Sequence, residues 1–335
     1  MALRLAINGF GRIGRLVYRA ILEAGRDDVS VVCINDLGST EANAHLLKFD
    51  TVHGRLDNEI TVDGDKMDAG AGQVRVTSER DPANLPWAEL EVDIALECTG
   101  FFNKRDAAAK HLEAGAKRVL ISAPAAGADL TVVYGVNDGQ LTSDHTVVSN
   151  ASCTTNCLAP VAHVLNQAVG IERGFMTTIH SFTGDQRTVD TLHKDLHRAR
   201  TASSSMIPTT TGAARAVGLV LPELVGKLDG TAIRVPTANV SMIDLTFVAS
   251  KPTSAERINR AIASAARGRL KGVLGVVDEP LVSVDFNHST YSAVFDLTQT
   301  QVIGDTFVRV LAWYDNEWGF SNRMADVAVA MMKVR

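Results

Sequence analysis

The sequence has 335 residues, of which 46% are apolar and 21% are charged, and its formal net charge is −5. This length and composition are typical of a globular protein with about two domains and a sizeable core. The slightly acidic balance argues against a nucleic acid as the main partner, and no apolar run approaches the roughly 20 residues that cross a bilayer. The four cysteines form no disulfide framework, and Met1 leads into a strand pattern without a signal peptide. We therefore expect a cytoplasmic protein with no membrane partner.

The first 150 residues alternate between short apolar runs and helical patterns. The runs are LRLAI, VSVVCI, VDIALEC, RVLIS, LTVVYGV and TVVSN. They are rich in valine and isoleucine, which is typical of strands that are buried on both faces. The segment GRIGRLVYRAILEAG has apolar residues at helical spacing, and residues 106–118 show the same pattern up to Gly115. This alternation predicts an α/β fold with a doubly wound, mostly parallel sheet.

A glycine motif stands between the first predicted strand and the first predicted helix. Gly9 would allow a tight turn there, Gly11 the close approach of a pyrophosphate, and Gly14 the packing of helix against strand. Asp36 ends the second predicted strand, where a carboxylate accepts from ribose hydroxyls and repels a 2′-phosphate. The two residues after it carry no compensating positive charge, so the pattern favours NAD over NADP. The alternative is a glycine-rich turn of an unrelated α/β fold.

The stretch SNASCTTNCLAP surrounds Cys153 with small polar residues, whereas a cysteine used for packing usually has apolar neighbours. Cys153 is therefore either a loop residue of no consequence or a nucleophile. It follows the sixth predicted strand, at the sheet edge where open α/β folds bind ligands, and a helix starting near it would lower the thiol pKa. Pro160 implies that such a helix is kinked or starts after Cys153. His180 ends a later predicted strand and is the candidate base for the thiol.

From Ala151 onward the chain contains long extended segments without a helix between each pair. In SMIDLTFVAS the apolar residues alternate with polar or smaller ones, which predicts a strand with one buried face. The segment NRMADVAVAMMKV predicts an amphipathic C-terminal helix. We predict a first domain of residues 1–150 plus the helix 317–335, which binds NAD. The second, over 151–316, would be an α+β domain on a largely antiparallel sheet that carries catalysis and substrate binding.

Cationic and hydroxyl side chains of the second half suit the oxygens of a phosphate, although a solvated basic face is the alternative. They are Arg187, Lys194, Arg198, Arg200, Thr209, Thr210, Thr211 and Arg234, with Gly212 beside them. His193 and His197 have the spacing of a zinc pair, but neither an HExxH glutamate nor a third ligand accompanies them, so we predict no metal site. Cys157 lies one helical turn after Cys153, and a regulatory disulfide between them is a lesser alternative.

Six segments of the chain belong together: INGFGRIGR, SNASCTTNCLAP, HSFTGDQ, IPTTTGAARAVG, LDGTAIRVPTANVS and WYDNEWGFSNR. They resemble the phosphorylating, bacterial-type glyceraldehyde-3-phosphate dehydrogenases, and the resemblance extends from Leu3 to the last helix. The resemblance implies oxidation of D-glyceraldehyde 3-phosphate with NAD and inorganic phosphate to 1,3-bisphosphoglycerate, in glycolysis or gluconeogenesis. Cys153 would form the thioester and His180 would activate the thiol and take the hydroxyl proton. The family also implies a homotetramer.

The resemblance also implies roles for further residues. In the cofactor site these are Arg12 and Ile13 at the pyrophosphate turn, Asp36 at the ribose, Arg80 by the adenine, Thr99 and Ser122 at later strand ends, Asn316 orienting the nicotinamide amide, and Phe320 against the nicotinamide. Thr183 and Arg234 would hold the substrate phosphate, with Asp185 orienting Arg234. Ser152, Thr154, Thr211 and Gly212 would line the inorganic phosphate site, and Arg198 would lie near both sites.

Three departures from the family pattern bear on specificity. Phe320 stands where tyrosine is common, which keeps the packing and loses a hydroxyl. Thr191-Leu192 matches neither the Leu-Pro of many NAD-specific members nor the Ala-Ser of NADP-using ones, so the cofactor preference rests on Asp36 and Leu37. PLVSVDFNH, AHLLKFDTVHG and HSFTGDQ also resemble the erythrose-4-phosphate dehydrogenases, which lack the turn kept here as Thr211-Gly212. That activity is one alternative, and a nucleotide-binding thiol sensor is another.

Overall fold

The computed structural model describes residues 2–334, and the chain divides into two compact units. The first unit extends up to Tyr134 and continues over Asp138–Ser152 and from Ser321 onward. The second unit consists of Gly135–Asn137 and Cys153–Phe320. None of the helices within residues 2–334 is both long and apolar enough to cross a membrane.

The first unit alternates strands with helices along the chain. Its elements are β1 (Leu3–Asn8), α1 (Arg12–Glu23), β2 (Val29–Asn35), α2 (Thr40–Lys48), β3 (Phe49–Asp50), β4 (Gly54–Arg55), β5 (Thr61–Asp63), β6 (Lys66–Asp68), β7 (Gln73–Thr77), β8 (Ile94–Glu97), α3 (Arg105–Ala108), α4 (Lys110–Glu113), β9 (Arg118–Ile121), β10 (Leu130–Thr131) and β11 (Val147–Ser149). The main sheet has the order β10-β11-β9-β8-β1-β2-β7-β6-β5. Its strands pair in parallel from β10 to β7 and antiparallel over β7-β6-β5. The prediction of a doubly wound, mostly parallel sheet is confirmed.

The strand order places β1 where the direction of the chain across the sheet reverses. After β1 the chain adds β2 and β7 on one side, and it later returns to add β8, β9 and β11 on the other. Leu5, Ala6 and Ile7 of β1 are fully buried, as expected for a central parallel strand. The carboxyl ends of β1 and β8 therefore flank a crevice of the kind that binds ligands in open α/β sheets.

The helix predicted over residues 106–118 is interrupted in the structure. The amide of Leu112 donates to the carbonyl of Ala109 at 2.8 Å, a tight i to i+3 turn that separates α3 from α4. The helical stretch ends before Gly115, whose φ of +105° favours glycine, and a Cβ there would lie 2.5 Å from the Cβ of Ala88.

The second unit combines helices with a mixed sheet. Its elements are α5 (Cys153–Val169), β12 (Ile171–Ser181), β13 (Ile207–Thr210), α6 (Ala213–Val220), β14 (Leu228–Val235), β15 (Ser241–Ala249), α7 (Ala255–Arg267), β16 (Leu274–Val277), β17 (Ala293–Asp296), β18 (Gln301–Ile303) and β19 (Phe307–Tyr314); α8 (Trp318–Lys333) begins in this unit and continues in the first. The sheet order is β13-β14-β12-β15-β19-β17-β16, with β18 beside β19. β12 pairs with β14 and β16 with β17 in parallel, and the other pairs are antiparallel. The prediction of a largely antiparallel second sheet is confirmed.

Strand β15 and helix α5 of the second unit can be compared directly with the patterns seen in the sequence. β15 has the predicted alternation, with Ile243, Leu245 and Phe247 buried on one face. α5 begins at Cys153 and continues through Pro160, although a proline inside a helix removes one backbone hydrogen bond. Because 12 of its 17 residues are buried, packing of the helix offsets the loss of that hydrogen bond.

Candidate functional site

A cleft of about 550 Å³ lies at the carboxyl end of β1 in the first unit. Five of the residues predicted to bind the cofactor line it, namely Gly9, Gly11, Asp36, Arg80 and Thr99. These residues follow β1, β2, β7 and β8, so parallel neighbours bring them to one edge of the sheet. Open α/β sheets bind their ligands at this position.

Each of the three glycines of the motif is needed for a different steric reason. Gly9 has a φ of +90°, and a Cβ there would lie 2.7 Å from the amide nitrogen of Thr99. A Cβ on Gly14 would lie 2.1 Å from the carbonyl oxygen of Gly9, so α1 could not approach the turn. A Cβ on Gly11 would meet no atom within 4 Å, so this glycine faces open space where a ligand can approach the backbone.

The Asp36 carboxylate holds the loops around the cleft. One oxygen accepts from the amide of Phe10 at 2.8 Å, and the other accepts from the amide of Gly38 at 2.9 Å. Each oxygen keeps a lone pair, so the carboxylate can also accept from hydroxyl groups in the cleft. The carboxylate therefore fits the predicted role at a ribose.

Other residues predicted for the cofactor do not line the cleft. The guanidinium of Arg12 forms an ion pair with Asp50. Burial raises the pKa of the Asp50 carboxyl, but hydrogen bonds from Arg12 and two backbone amides outweigh burial and lower the pKa to about 2. Ile13 lies in the first turn of α1, where it can offer a backbone amide. Ser122 follows β9, and its amide donates to the carbonyl of Glu97 at 3.0 Å.

A buried polar network lies beneath the cleft and was missed in the sequence analysis. Glu97 is 1% exposed, and its carboxylate accepts from Asn8 Nδ2 at 2.6 Å and from both the amide and the hydroxyl of Thr99. Trp87 Nε1 donates to His111 Nδ1 at 2.9 Å, so the imidazole proton is on Nε2, which donates to Glu97 at 3.1 Å. The available signal was a charged residue inside an apolar strand, which rarely occurs without buried partners.

Replacing Glu97 by glutamine is expected to weaken binding of NAD, the predicted cofactor, about tenfold, or about 1.4 kcal/mol. Four donors face this carboxylate, and a carboxamide would turn its own NH₂ group against at least one of them. The same carboxylate also accepts from the amide of Thr99, which lines the cleft. The free-energy cost of the unsatisfied donor therefore weakens cofactor binding as well as the fold. Titration calorimetry with nucleotide-free protein measures the effect, and Glu113→Gln, an exposed position on α4, is the control. Unchanged affinity in Glu97→Gln would contradict the role of the network.

The structure brings Cys153 and His180 together in the second unit. The thiol at the first residue of α5 lies 3.5 Å from Nε2 of His180, which is near the end of β12 and only 4% exposed. Nδ1 of the same ring lies 2.7 Å from the carbonyl oxygen of Ser181. A proton on Nδ1, donated to this carbonyl, leaves the lone pair of Nε2 facing the thiol. This is the tautomer that a general base for Cys153 needs.

Burial and a nearby cation set the ionisation of this pair. Burial raises the pKa of the Cys153 thiol, and the positive charge of Arg234 offsets only part of that rise. The lowering expected from the N-terminus of α5 is thus outweighed. Burial and Arg234 both lower the pKa of His180, to about 3. Around neutral pH both groups are therefore uncharged, so a reaction through the thiolate would require proton transfer to His180.

Arg234 lies directly opposite His180 on β14 in the parallel register with β12. Its Nη1 is 3.0 Å from the Ser181 carbonyl and 2.5 Å from Nδ1 of His180. Its Nε is buried and makes no hydrogen bond to any residue within 2–334. A buried guanidinium N–H without a protein partner indicates that an anion belongs there.

The remaining predicted phosphate ligands lie on loops of the second unit. The amide and hydroxyl of Thr183 both donate to Gln186 Oε1, at 3.0 and 3.1 Å. The resemblance implied that Asp185 orients Arg234, but its carboxylate forms an ion pair of 2.6 Å with Arg198. Arg234 has its hydrogen bonds with Ser181 and His180, and an orienting role of Asp185 at Arg234 stays a prediction.

A second candidate phosphate position lies at the start of α6. Gly212 is the N-cap residue, and the Thr211 hydroxyl accepts from the amide of Ala213 at 3.2 Å. Thr154 was expected beside this phosphate, but its hydroxyl is buried and bonds to Tyr314 at 2.8 Å. Its backbone amide in the first turn of α5 is the group left for a phosphate. Ser152 is the last residue of the first unit before Cys153.

Asn316 and Phe320 belong to the second unit, whereas the other residues predicted for the cofactor belong to the first. The amide oxygen of Asn316 accepts from the hydroxyls of Ser181 and Ser241, both at 2.8 Å. The two serines thus fix the amide orientation, and its NH₂ group is the end available to a ligand carbonyl. Phe320 is buried, at 5% exposure.

Comparison with known proteins agrees with this geometry. The family model described as glyceraldehyde 3-phosphate dehydrogenase, NAD binding domain, matches residues 3–105, and the model for the C-terminal domain matches residues 152–316. A glyceraldehyde-3-phosphate dehydrogenase of Xanthobacter flavus is 69% identical over 334 residues, covering 100% of both chains. The proteins of the same name from Cereibacter sphaeroides and Geobacillus stearothermophilus are 64% and 56% identical, covering 99% and 98% of both chains. The predictions of the family, of NAD as the cofactor and of an oxidoreductase are confirmed: the chain belongs to the bacterial-type glyceraldehyde-3-phosphate dehydrogenase family.

Proposed function

We propose that this chain oxidises D-glyceraldehyde 3-phosphate, with NAD and inorganic phosphate, to 1,3-bisphosphoglycerate in the cytoplasm. The observation that carries the proposal is the 3.5 Å contact between the Cys153 thiol and Nε2 of His180, with an arginine of unsatisfied Nε beside them. A nucleophile, its base and an anion-binding group are the parts that covalent oxidation of a phosphorylated aldehyde requires.

The first step joins the Cys153 sulfur to the aldehyde carbon. Nε2 of His180 takes the thiol proton and returns it to the carbonyl oxygen, which gives a thiohemiacetal. Nε2 then takes the hydroxyl proton as the carbon loses hydride, which leaves a thioester on Cys153. NAD supplies the acceptor for that hydride when it is bound. An oxygen of inorganic phosphate next attacks the thioester carbon, and the carbon–sulfur bond breaks. This step releases the acyl phosphate and leaves the Cys153 sulfur as a thiolate, which takes back the proton held on Nε2 of His180.

The charge of Arg234 links substrate binding to this proton transfer. In the free protein, burial and the charge of Arg234 together lower the pKa of His180 to about 3. A phosphate dianion on the guanidinium would cancel much of that positive charge, so the basicity of His180 rises when substrate is bound. Binding of the substrate phosphate thereby prepares the base for the proton it must accept.

Two anion positions accompany the thiol in this proposal. Arg234, with its buried Nε, and Thr183 would hold the phosphate of the substrate. Thr211 and Gly212 at the start of α6, with Ser152 and the amide of Thr154, would receive inorganic phosphate. Arg198 would serve both positions. Retention of the Thr211-Gly212 turn favours phosphorolysis of the thioester over hydrolysis.

The cofactor is assigned mainly to the first domain, residues 1–150 with the helix 317–335, and catalysis to residues 151–316. Gly9, Gly11, Asp36, Arg80 and Thr99 line the cleft that would hold the dinucleotide. The open space at Gly11 suits a pyrophosphate, and the Asp36 carboxylate suits the ribose hydroxyls. Asn316 would orient the nicotinamide through its NH₂ group, whose direction the two serine hydroxyls set.

An assay that follows NADH absorbance tests the proposal directly. Sustained NADH formation from glyceraldehyde 3-phosphate that requires inorganic phosphate supports it. NADP in place of NAD tests the preference assigned to Asp36. Faster turnover of erythrose 4-phosphate, independent of phosphate, would move the chain to the sister activity. No turnover with either sugar phosphate would contradict the proposal and favour a nucleotide-binding thiol protein.

The self-association of this chain as a homotetramer is also part of the proposal. Phe175, Ile303 and Phe307 on the second sheet are 53%, 69% and 45% exposed. Ile303 and Phe307 pair across β18 and β19, and Phe175 lies on β12, on the other side of β15. Exposed large apolar side chains on one sheet are suited to contact with another copy of the chain. Light scattering of the purified protein gives the mass, and a monomer of unreduced activity would contradict the proposal.

A further inference from the structure

Cys153 lies at the start of α5 and His180 lies on β12. The distance between the thiol and the imidazole is therefore set by how these two elements are placed against each other. The direct contact of 3.5 Å involves a neutral thiol, which is a weak donor. A stronger contact nearby would hold the two elements in register. The neighbours of each residue identify it: Thr154 directly follows Cys153, and Thr178 lies two residues before His180 on the same face of its strand.

One hydroxyl joins these two threonines. Tyr314 at the end of β19 places its hydroxyl oxygen 2.8 Å from Thr154 Oγ1 and 2.9 Å from Thr178 Oγ1. The tyrosine ring also lies edge-on to the imidazole of His180, with 5.8 Å between ring centres. Tyr314 is 2% exposed, and burial raises the pKa of its hydroxyl well above the ordinary value, so it is an uncharged donor and acceptor.

The direction of each hydrogen bond follows from one proton per hydroxyl. Thr178 Oγ1 lies 3.2 Å from the carbonyl oxygen of Met242, which only accepts, so the Thr178 proton is used there. Tyr314 must therefore donate to Thr178, and Thr154 must donate to Tyr314. The chain of bonds runs from Thr154 through Tyr314 and Thr178 to Met242, and each hydroxyl oxygen in it accepts at most one of these protons. A fully satisfied buried chain of this kind rigidifies its surroundings.

We propose that Tyr314 is a positioning residue that holds the Cys153 thiol within reach of His180, through its hydroxyl bonds to Thr154 and Thr178. The tyrosine touches neither substrate nor cofactor in this role. It keeps the start of α5 attached to β12 at the level of the reacting pair. The inference rests on the proposed function, since it concerns the same thiol and base.

Replacing Tyr314 by phenylalanine keeps the ring and removes only the hydroxyl. We expect kcat to fall about 10- to 100-fold, because small misplacement of a reacting group costs about that much, while KM for NAD stays within about twofold. The rate of Cys153 alkylation by iodoacetamide at neutral pH should fall about tenfold for the same reason. That loss should disappear in a His180→Asn background, where there is no base left to misplace. Tyr291→Phe, a half-exposed tyrosine of the same unit, is the control and should match the parent.

The outcomes separate the proposal from a merely structural role and from the proposed function. Parental kcat and alkylation in Tyr314→Phe, or an equal loss of alkylation with and without His180, would overturn it. Where Tyr314→Phe does not fold, Thr178→Ser, which keeps the accepting hydroxyl, and Thr178→Val, which lacks it, decide instead. The serine variant should retain the alkylation rate and the valine variant should lose it, and equal rates would overturn the proposal. Alkylation needs neither NAD nor sugar phosphate, so an inactive parent would contradict only the proposed function.

Discussion

Replacing Cys153 by serine is expected to lower kcat for NADH formation by roughly four orders of magnitude or more. A serine hydroxyl is a far weaker nucleophile than a thiol when both depend on one imidazole, and His180 here is itself a weak base, with a pKa lowered to about 3 by burial and Arg234. An oxygen ester also retains less free energy for transfer to phosphate than a thioester does. The measurement is the initial rate with saturating substrate, NAD and phosphate.

The control for this change is Cys157→Ser, one helical turn further along α5. Cys157 is fully buried, its Sγ lies 4.0 Å from the carbonyl oxygen of Ala312, and burial raises the pKa of its thiol well above the usual value. It is therefore inert at neutral pH, and its replacement should leave kcat close to that of the parent. Comparable losses in the two variants, or NADH formation by Cys153→Ser at a tenth of the parental rate or faster, would contradict a unique nucleophile at Cys153.

The parts of this molecule that depend on neighbours in sequence could be predicted from it. The glycine motif is one example, because the φ of Gly9 and the contact between Gly14 and the turn are decided within a strand, a turn and a helix. The alternation in β15 is another, since period-two burial needs only one apolar face. The carboxyl edge of the parallel sheet followed from the order of elements, and the cleft lies at that edge.

The parts that depend on tertiary contacts outside any motif could not be predicted from pattern. Glu97 and His111 meet beneath the cleft, although neither belongs to a motif. The ion pair of Asp185 with Arg198 depends on how the long segment between β12 and β13 folds. The hydroxyl of Tyr314 joins residues that are 160 and 136 positions away, which no periodicity could reveal.

Replacing His180 by asparagine is expected to lower kcat about 10²- to 10⁴-fold, the usual contribution of a positioned general base. The pH dependence should change as well. His180 has a pKa of about 3 in the folded protein, so the parent has an uncharged base available throughout mildly acidic and neutral pH. The variant has no base and must rely on thiolate that forms spontaneously. Because burial raises the pKa of Cys153, that thiolate appears only as the pH becomes alkaline.

The rate of the asparagine variant should therefore rise steeply with pH through the raised pKa of Cys153, while the parental rate changes less over the same range. Measuring kcat and the rate of Cys153 alkylation from mildly acidic to alkaline pH separates the two cases. His163→Asn, on α5 of the same unit, changes a histidine that contacts Gln167 and Arg269 and should keep the parental profile. Parallel pH profiles for the parent and His180→Asn would mean that the thiol ionises without His180. The imidazole would then act on a later proton, the one that leaves the hydroxyl of the thiohemiacetal as hydride departs.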